Sequence, residues 1–226
     1  MGRRVVVAVM AKTPGMDPTK TRLQPPLSTA EAIDLYRCFL LDRLDALATL
    51  SSIDPVVAVT PPEGQSIMAS LAPPRFRIVT QRGRDLGERL SNVLSELLAD
   101  GHPGALAIDS DSPTLPMTWV TAAAEKLGRG GADVVLGPCD DGGYYLIGVR
   151  APQPELFRGM PWSTDRVLKL TLEKAAALHL NSYVLPPWFD VDTEPDLRRL
   201  HREMLTSARR PPRTFAFVSD LYRRSP

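Results

Sequence analysis

The sequence has few cysteines and almost no net charge, and each scarcity excludes a class of protein. Cys38 and Cys139 lie far apart among 226 residues and form no Cys-x-x-Cys pair, so neither a disulfide framework nor a thiolate zinc site is expected. Lys and Arg number 27 against 26 Asp and Glu, for a net charge of +1. This balance gives no global attraction to nucleic acid, a membrane surface or a polyacidic partner, so any affinity for an anion must be local.

Long apolar runs are also missing. No stretch approaches the roughly 20 apolar residues that span a bilayer. The run from Val5 to Ala11 follows two arginines in the manner of a signal peptide, but Lys12 ends it and a Thr-Pro-Gly sequence follows. That pattern indicates a strand that ends in a loop, and we expect a cytoplasmic protein whose thiols are reduced.

Apolar, β-branched runs alternate with helical patterns along the chain. Strands are predicted near residues 5–11, 55–60, 76–80, 105–108, 133–136 and 144–149, and helices at 28–50, from 63, from 85, after 116, at 163–178 and at 193–205. This alternation predicts one α/β domain with a mostly parallel, doubly wound sheet. The Gly-rich turn before Tyr144 is too short for a helix, so the last two strands are expected to be antiparallel or otherwise mixed.

Two helices carry clear start signals, and the chain ends in a basic segment. Ser28 to Glu31 forms a capping box, and Thr193 is an N-cap with Pro195 in the first turn. We assign residues 1–205 to the domain and residues 206–226 to a basic C-terminal tail. The tail is expected to be a solvated or partly ordered appendage, with an anion-binding arm as the alternative.

A basic, glycine-containing loop follows the first strand. Gly15 lets the backbone approach a phosphate closely, and Lys12, Lys20 and Arg22 supply cationic donors. The loop is not a Walker A motif, because the second glycine is missing. A solvated loop is the alternative, but a position directly after the first strand favours phosphate binding.

Two carboxylates end the strand at 105–108. Asp109 and Asp111 stand at positions i and i+2, so an extended backbone points both to one face. Carboxylate oxygens suit Mg²⁺ or Mn²⁺, which bridge protein carboxylates to substrate phosphates. A turn with a helix cap is the alternative for the same residues.

Acidic residues recur in two later segments. In the segment 137–148, Asp141 could serve as a general base or an acceptor anchor and Tyr144 could hold a ring, although Asp-Gly also makes a simple hairpin turn. Asp190 and Asp192 alternate just before the helix that Thr193 caps, which leaves Asp192 available as a second metal ligand.

Taken in this order, the segments resemble a bacterial family of GT-A-fold proteins. This family is a branch of the nucleotide-diphospho-sugar transferases labelled DUF2064 or arsenosugar-biosynthesis-type glycosyltransferases. The resemblance is carried by Lys12–Leu23, Gly83–Arg89, Asp111–Leu115, Gly137–Gly148, Trp162–Thr164 and Asp190–Thr193, within residues 4–205. It implies a single Rossmann-like three-layer α/β/α domain with a mixed, mostly parallel sheet. The sequence departs from the family pattern in a longer first loop and in Asp109, where a glycine is expected.

The resemblance also implies roles for individual residues. Asp111 and Asp192 are expected to bind a divalent metal, Mg²⁺ or Mn²⁺, and Asp111 and Asp141 are the predicted catalytic residues. The predicted nucleotide- and phosphate-binding residues are Ala11, Lys12, Pro14, Gly15, Lys20, Arg22 and Arg89. The predicted acceptor or sugar site consists of Gly142, Gly143, Tyr144 and Trp162. For Trp162 the alternative is a contact with the core, and for the segment 83–89 it is close helix packing at Gly87.

Three functions are compatible with these segments. The leading hypothesis is metal-dependent transfer of a sugar from a nucleoside-diphosphate sugar to a small-molecule acceptor. The second is nucleotidyl transfer from an NTP to a phosphorylated acceptor, since the segments also resemble the 2-phospholactate guanylyltransferases. The third is a non-catalytic nucleotide-binding or partner-binding module. The fold alone does not decide among them, because function depends on the site.

Overall fold

A seven-stranded sheet forms the centre of the protein. The computed structural model describes residues 3–207 and 210–224. The strands are β1 (Val5–Lys12), β2 (Ile53–Thr60), β3 (Arg77–Thr80), β4 (Ala105–Ile108), β5 (Val134–Pro138), β6 (Tyr144–Val149) and β7 (Ser182–Val184). Their order in the sheet is β3-β2-β1-β4-β6-β5-β7, and only β6 runs antiparallel to its neighbours. The predicted mixed, mostly parallel sheet is therefore confirmed.

Helices connect the strands and cover the sheet. They are α1 (Thr29–Ala48), α2 (Gln65–Leu71), α3 (Leu86–Ala99), α4 (Met117–Gly128), α5 (Val167–Ala177), α6 (Glu194–Thr206) and α7 (Pro212–Arg224). Among the described helices, none has the length and apolar character needed to cross a membrane. The predicted capping box at Ser28 is present, and it begins α1.

Both faces of the sheet are buried, as the continuous apolar sequence of β1 requires. Val5, Val7 and Val9 belong to one core with residues of α1, α2 and α4, whereas Val6 and Ala8 belong to a second core with residues of α3 and α5. Successive side chains of a strand alternate between faces, so one short run serves both cores. The result is the predicted three-layer α/β/α arrangement.

The last helix is more ordered than the solvated or partly ordered appendage expected from the sequence. Although residues 206–226 are strongly basic, α7 packs on the outer side of α1 and α6, and Val218 is fully buried in a third core. Asp42 of α1 accepts hydrogen bonds from the backbone nitrogens of Arg213 (3.2 Å) and Thr214 (2.8 Å). The described residues 210–224 are thus ordered against the domain, while the division at residue 205 stays a prediction.

Two further local expectations differ from the structure. The helix predicted from Ser163 begins only at Val167, because Ser163 adopts a left-handed conformation with φ of 61°. A short edge strand, β7, pairs with β5 at Ser182–Val184, where no strand was predicted. Three residues carry too little periodicity to indicate a strand.

Candidate functional site

The acidic and basic segments meet at one edge of the sheet. Loops follow the carboxyl ends of the parallel strands β1, β4, β5 and β7, and antiparallel β6 begins at the same edge. A backbone hydrogen bond of 3.0 Å from Val191 N to Asp111 O joins the segment 190–192 to the loop after β4. Open α/β sheets bind their ligands at this edge.

A cavity of about 340 Å³ opens there. Its walls come from the ends of β1 and β2, the residue after β3, the first loop, Tyr36 of α1, the start of α3 and the two acidic segments. Predicted nucleotide, phosphate or metal residues that line it are Ala11, Lys12, Lys20, Arg22, Arg89, Asp111 and Asp192. Pro14 and Gly15 are not among its lining residues. Gly15 instead has φ of 82° within the turn closed by Met16 N and Thr13 O.

Lys20 lies between the two predicted metal ligands. Its Nζ is 2.7 Å from Asp111 Oδ1 and 2.9 Å from Asp192 Oδ1, and only 3% of its side chain is exposed. Burial lowers the pKa of this ammonium, but the two carboxylates outweigh burial and raise the pKa above its ordinary value. Lys20 therefore stays protonated at neutral pH and neutralises part of the carboxylate charge.

The backbone at Lys20 is in a conformation that side chains disfavour. Its φ of 51° and ψ of 35° lie in the left-handed region. Such a residue persists only where surrounding contacts hold it. The contacts here are the two ion pairs and the ring of Phe39, whose centroid is 5.7 Å from Nζ.

Tyr36 of α1 lines the cavity, and its hydroxyl contacts both the end of β1 and the loop after β4. Its hydroxyl accepts a hydrogen bond from Lys12 N (2.8 Å) and donates to Lys12 O (3.1 Å). Ser110 Oγ lies 3.1 Å away and can donate to the same oxygen. The side chain is almost completely buried, and burial raises the pKa of its hydroxyl above the ordinary value. One hydroxyl thus fixes the end of β1 relative to the loop after β4.

Arg43 lies about two turns after Tyr36 on α1 and contacts the acidic loop. Its guanidinium donates to Ser112 O and lies 3.7 Å from Asp109 Oδ1. The side chain is buried, and Nε and Nη1 have no partner among the described residues. Burial raises the pKa of Asp109 to about 6, against the opposing effect of Arg43. Asp109 therefore packs inward with Arg43 and Ser112 and is not among the lining residues of the cavity.

A second acidic group lies beside the first. Carboxylate oxygens of Asp141 and Asp190 and the thiol of Cys139 come within 4.8 Å of one another. Asp141 is exposed, and one of its oxygens accepts from Gly143 N at 2.8 Å. Burial, followed by the charges of nearby aspartates, raises the pKa of Asp190 to about 7. This cluster could hold a metal ion, although its sulfur donor suits Mg²⁺ poorly.

The predicted acceptor residues Tyr144 and Trp162 face the protein interior. Their rings meet edge to face with centroids 6.5 Å apart, and both pack against the core under α3 and α5. The Tyr144 hydroxyl and the Trp162 ring nitrogen are buried. A Cβ at Gly87 would come within 2.8 Å of the Trp162 ring, so close packing is the role that the structure gives Gly87.

Gly142 and Gly143 form the turn that presents Asp141. Gly142 has φ of 87°, and a Cβ there would lie 2.2 Å from Asp165 O. Only glycine fits this position, because both the backbone angle and the contact exclude a side chain. The turn is consequently fixed against the segment that follows Trp162.

A divalent metal fits the first acidic pair in donor chemistry. Oδ1 of Asp111 and Oδ1 of Asp192 already face one shared cation position, since both contact the same ammonium. Both donors are hard carboxylate oxygens, which Mg²⁺ and Mn²⁺ prefer. The fit requires that the Lys20 ammonium leave this position.

Helix α1 contributes to the site in a way that the sequence did not predict. Tyr36, Phe39 and Arg43 lie on one helical face and contact the first loop and the acidic loop, whereas the sequence predicted only a helix at 28–50 and no role for it in the site. The sequence did contain a signal, since Arg43 stands seven positions after Tyr36 on the apolar face of this helix. A buried charge requires a partner, so this arginine indicated an acidic or carbonyl contact nearby. Gln81, also missed, lines the cavity and donates to Ala11 O and Ala58 O.

Comparison with known proteins places the chain among bacterial proteins of related fold. Residues 43–164 match a family described as "Uncharacterized protein conserved in bacteria (DUF2064)". A candidate nucleotide-diphospho-sugar transferase from Desulfovibrio desulfuricans G20 has a crystal structure that is 31% identical in sequence. The similarity covers 98% of this chain and 96% of that one, with a TM-score of 0.90.

More distant similarities concern the fold or part of a longer protein. A cytidylyltransferase from Leptospira borgpetersenii is 12% identical over 98% of this chain and 96% of that chain, with a TM-score of 0.56, which shows a shared fold. A curated relative from Vibrio parahaemolyticus, named as a UPF0283 membrane protein, is 25% identical over 196 residues. That match covers 79% of this chain and 53% of the relative, so the chain spans about half the length of that protein.

Proposed function

Because the chain belongs to the DUF2064 family of proteins conserved in bacteria, we propose that it is a metal-dependent glycosyltransferase. It would transfer a sugar from a nucleoside-diphosphate sugar to a small-molecule acceptor. The observation that carries the proposal is the pair Asp111 and Asp192, whose carboxylates share one cation position at the edge of a cavity with basic walls. The name of the Desulfovibrio relative supports the same class of donor.

The basic side chains of the cavity are assigned to the diphosphate. Lys12, Lys20, Arg22 and Arg89 all line it, and a guanidinium suits two phosphate oxygens at once. A divalent metal bound by Asp111 and Asp192 would supply charge neutralisation for the departing nucleoside diphosphate. The protein groups orient the phosphates and add positive charge where negative charge develops.

Asp141 is the proposed general base for the acceptor. It is exposed, and Gly143 N holds one of its oxygens, which leaves the other oxygen for an acceptor hydroxyl. General base catalysis requires a hydrogen bond from that hydroxyl to the carboxylate. Gly142 and Gly143 position Asp141, whereas Tyr144 and Trp162 are proposed to support the turn from the interior rather than to touch the acceptor.

Ligand binding to Asp111→Ala tests the proposal. Nucleoside diphosphates and nucleotide sugars, with and without Mn²⁺, are expected to raise the midpoint of thermal unfolding of the wild type, because a ligand that binds the native state stabilises it. The Mn²⁺-dependent part of the shift should disappear in the variant. Asp34→Asn, on the outside of α1, is the matched control and should behave as the wild type. Equal shifts in wild type and Asp111→Ala would contradict the proposal.

Nucleotidyl transfer is the second candidate function. It is favoured by the number of basic side chains in the cavity, since four cations exceed what a diphosphate paired with a metal needs. The two reactions differ in their products: an NTP with a phosphorylated acceptor releases pyrophosphate, whereas a nucleotide sugar releases a nucleoside diphosphate. Incubation with each donor class, followed by assays for both products, separates the two functions.

A further inference from the structure

We infer that Lys20 occupies the metal position in the free protein, so that the site binds its divalent cation tightly only together with the phosphates of a nucleotide. This inference rests on the proposed function, because it takes Asp111 and Asp192 as the metal ligands. It adds that metal and nucleotide bind with strong positive coupling, and that one lysine side chain causes the coupling.

The first support is the geometry of the ammonium. Lys20 Nζ contacts Asp111 Oδ1 at 2.7 Å and Asp192 Oδ1 at 2.9 Å, which are the same oxygens that a metal would need. With 3% of its side chain exposed, the ammonium has little access to water as an alternative partner. A metal that arrived alone would compete for these oxygens and would repel the ammonium that already holds them.

The second support is charge balance. Two carboxylates and one ammonium leave the cluster with a single negative charge. A divalent cation that entered alone would displace the ammonium from both of its anionic partners, at a cavity edge that already carries Lys12, Arg22 and Arg89. The phosphates of a nucleotide supply the missing anion, because the ammonium can move from carboxylate to phosphate as the metal takes its place.

The third support is the strain of the segment that carries Lys20. The backbone of this residue is left-handed, a conformation that a non-glycine residue adopts only when its surroundings impose it. The adjacent Thr19 Oγ1 is buried without a hydrogen-bond partner among the described residues. The ion pairs of Lys20 therefore hold the loop in place, and their release allows residues 18–21, which line the cavity, to rearrange around a ligand.

The experiment compares Mn²⁺ binding to the wild type and to Lys20→Met, whose unbranched side chain is one atom shorter and carries no charge. Electron paramagnetic resonance of free Mn²⁺ gives the dissociation constant without nucleotide. We expect Lys20→Met to bind Mn²⁺ more tightly than the wild type by on the order of tenfold, within the usual range of coupling between two sites. Lys20→Arg keeps a cation at this position and should bind Mn²⁺ as weakly as the wild type.

A second measurement concerns the affinity for the nucleotide. Equilibrium dialysis of ADP, CDP, GDP and UDP, each tested singly, gives nucleotide affinity with and without Mn²⁺. For the nucleotide that binds, Mn²⁺ should raise the affinity of the wild type on the order of tenfold, because coupling is reciprocal. Lys20→Met should lose most of this enhancement. If Lys20→Met fails to fold, Lys20→Gln takes its place, and the absence of the wild-type enhancement overturns the inference in either case.

Failure of the inference differs from failure of the proposed function. Suppose the wild type binds Mn²⁺ alone as tightly as Lys20→Met does, and Asp111→Asn abolishes binding in both backgrounds. Then the metal site stands and the inference about Lys20 is overturned. If neither protein binds Mn²⁺ in an Asp111-dependent manner, with or without nucleotide, both the proposed function and the inference are overturned.

Discussion

Replacement of Tyr36 by phenylalanine isolates the contribution of one hydroxyl to the site. The ring and its packing are retained, but Lys12 N and Ser110 Oγ both lose their contact with the Tyr36 oxygen. Ser110 is buried, and each buried polar group left without a partner costs about 1–3 kcal/mol. We therefore expect Tyr36→Phe to lower the free energy of unfolding by about 2–4 kcal/mol.

Tyr145 supplies the matched control. It is equally buried, but its hydroxyl makes a single hydrogen bond, to Pro186 O at 2.9 Å, and it is not among the residues that line the cavity. Tyr145→Phe should cost only about 1 kcal/mol, the net value of one ordinary hydrogen bond. Urea denaturation of the three proteins gives both differences, provided that the slope against urea is unchanged.

Ligand binding gives a second, independent comparison for the same pair of variants. Tyr36→Phe loosens the end of β1 against the loop that carries Asp111, so the stabilisation by nucleotide and Mn²⁺ should decrease, whereas Tyr145→Phe should leave it unchanged. Equal losses of unfolding free energy in the two variants would refute the assignment of Tyr36 as the residue that joins the two strand ends.

Two further predictions concern groups outside the cavity wall. Asp190, whose pKa burial raises to about 7, keeps its proton in the folded protein while the unfolded chain releases it near pH 4, so it lowers stability as the pH rises from about 4 to 7. Asp190→Asn should therefore raise the midpoint of thermal unfolding more at pH 8 than at pH 5, and a difference independent of pH would contradict this. Asp42→Ala removes the acceptor for the backbone nitrogens of Arg213 and Thr214 and should cost up to about 2 kcal/mol, with faster tryptic cleavage at the start of α7. Glu125→Ala, an exposed change on α4, is the control, and equal protection of α7 in both variants would speak against the capping role.

The layers of the fold were predictable because local patterns determine them. The apolar run of β1 is buried on both faces, and the short Gly-rich connection before Tyr144 produces the antiparallel β6. The packing of the C-terminal helix was not predicted, because its many arginines suggested a solvated or partly ordered appendage. The apolar residues of α7, including Val218, recur at helical spacing and were the overlooked signal.

The composition of the site was predictable in part, but its internal arrangement was not. The chain order of Lys20, Asp111 and Asp192 indicates that a basic loop and two acidic segments end at the same edge of the sheet. It gives no sign that the lysine lies between the carboxylates, because Asp111 and Asp192 are 91 and 172 positions away from Lys20 in sequence and meet it through tertiary contacts. The interior orientation of Tyr144 is likewise set by packing under α5.

Helix α1 sets the distance between two parts of the site. Tyr36 holds the end of β1, and Arg43 holds the carbonyl of Ser112, so seven residues of helix, about 10 Å at 1.5 Å per residue, set the spacing between these two anchor points. An insertion or deletion of one residue between them would turn one anchor about 100° away from the site. Homologous chains that share this site must therefore keep the length of this stretch of α1, whatever changes occur in the loops around it.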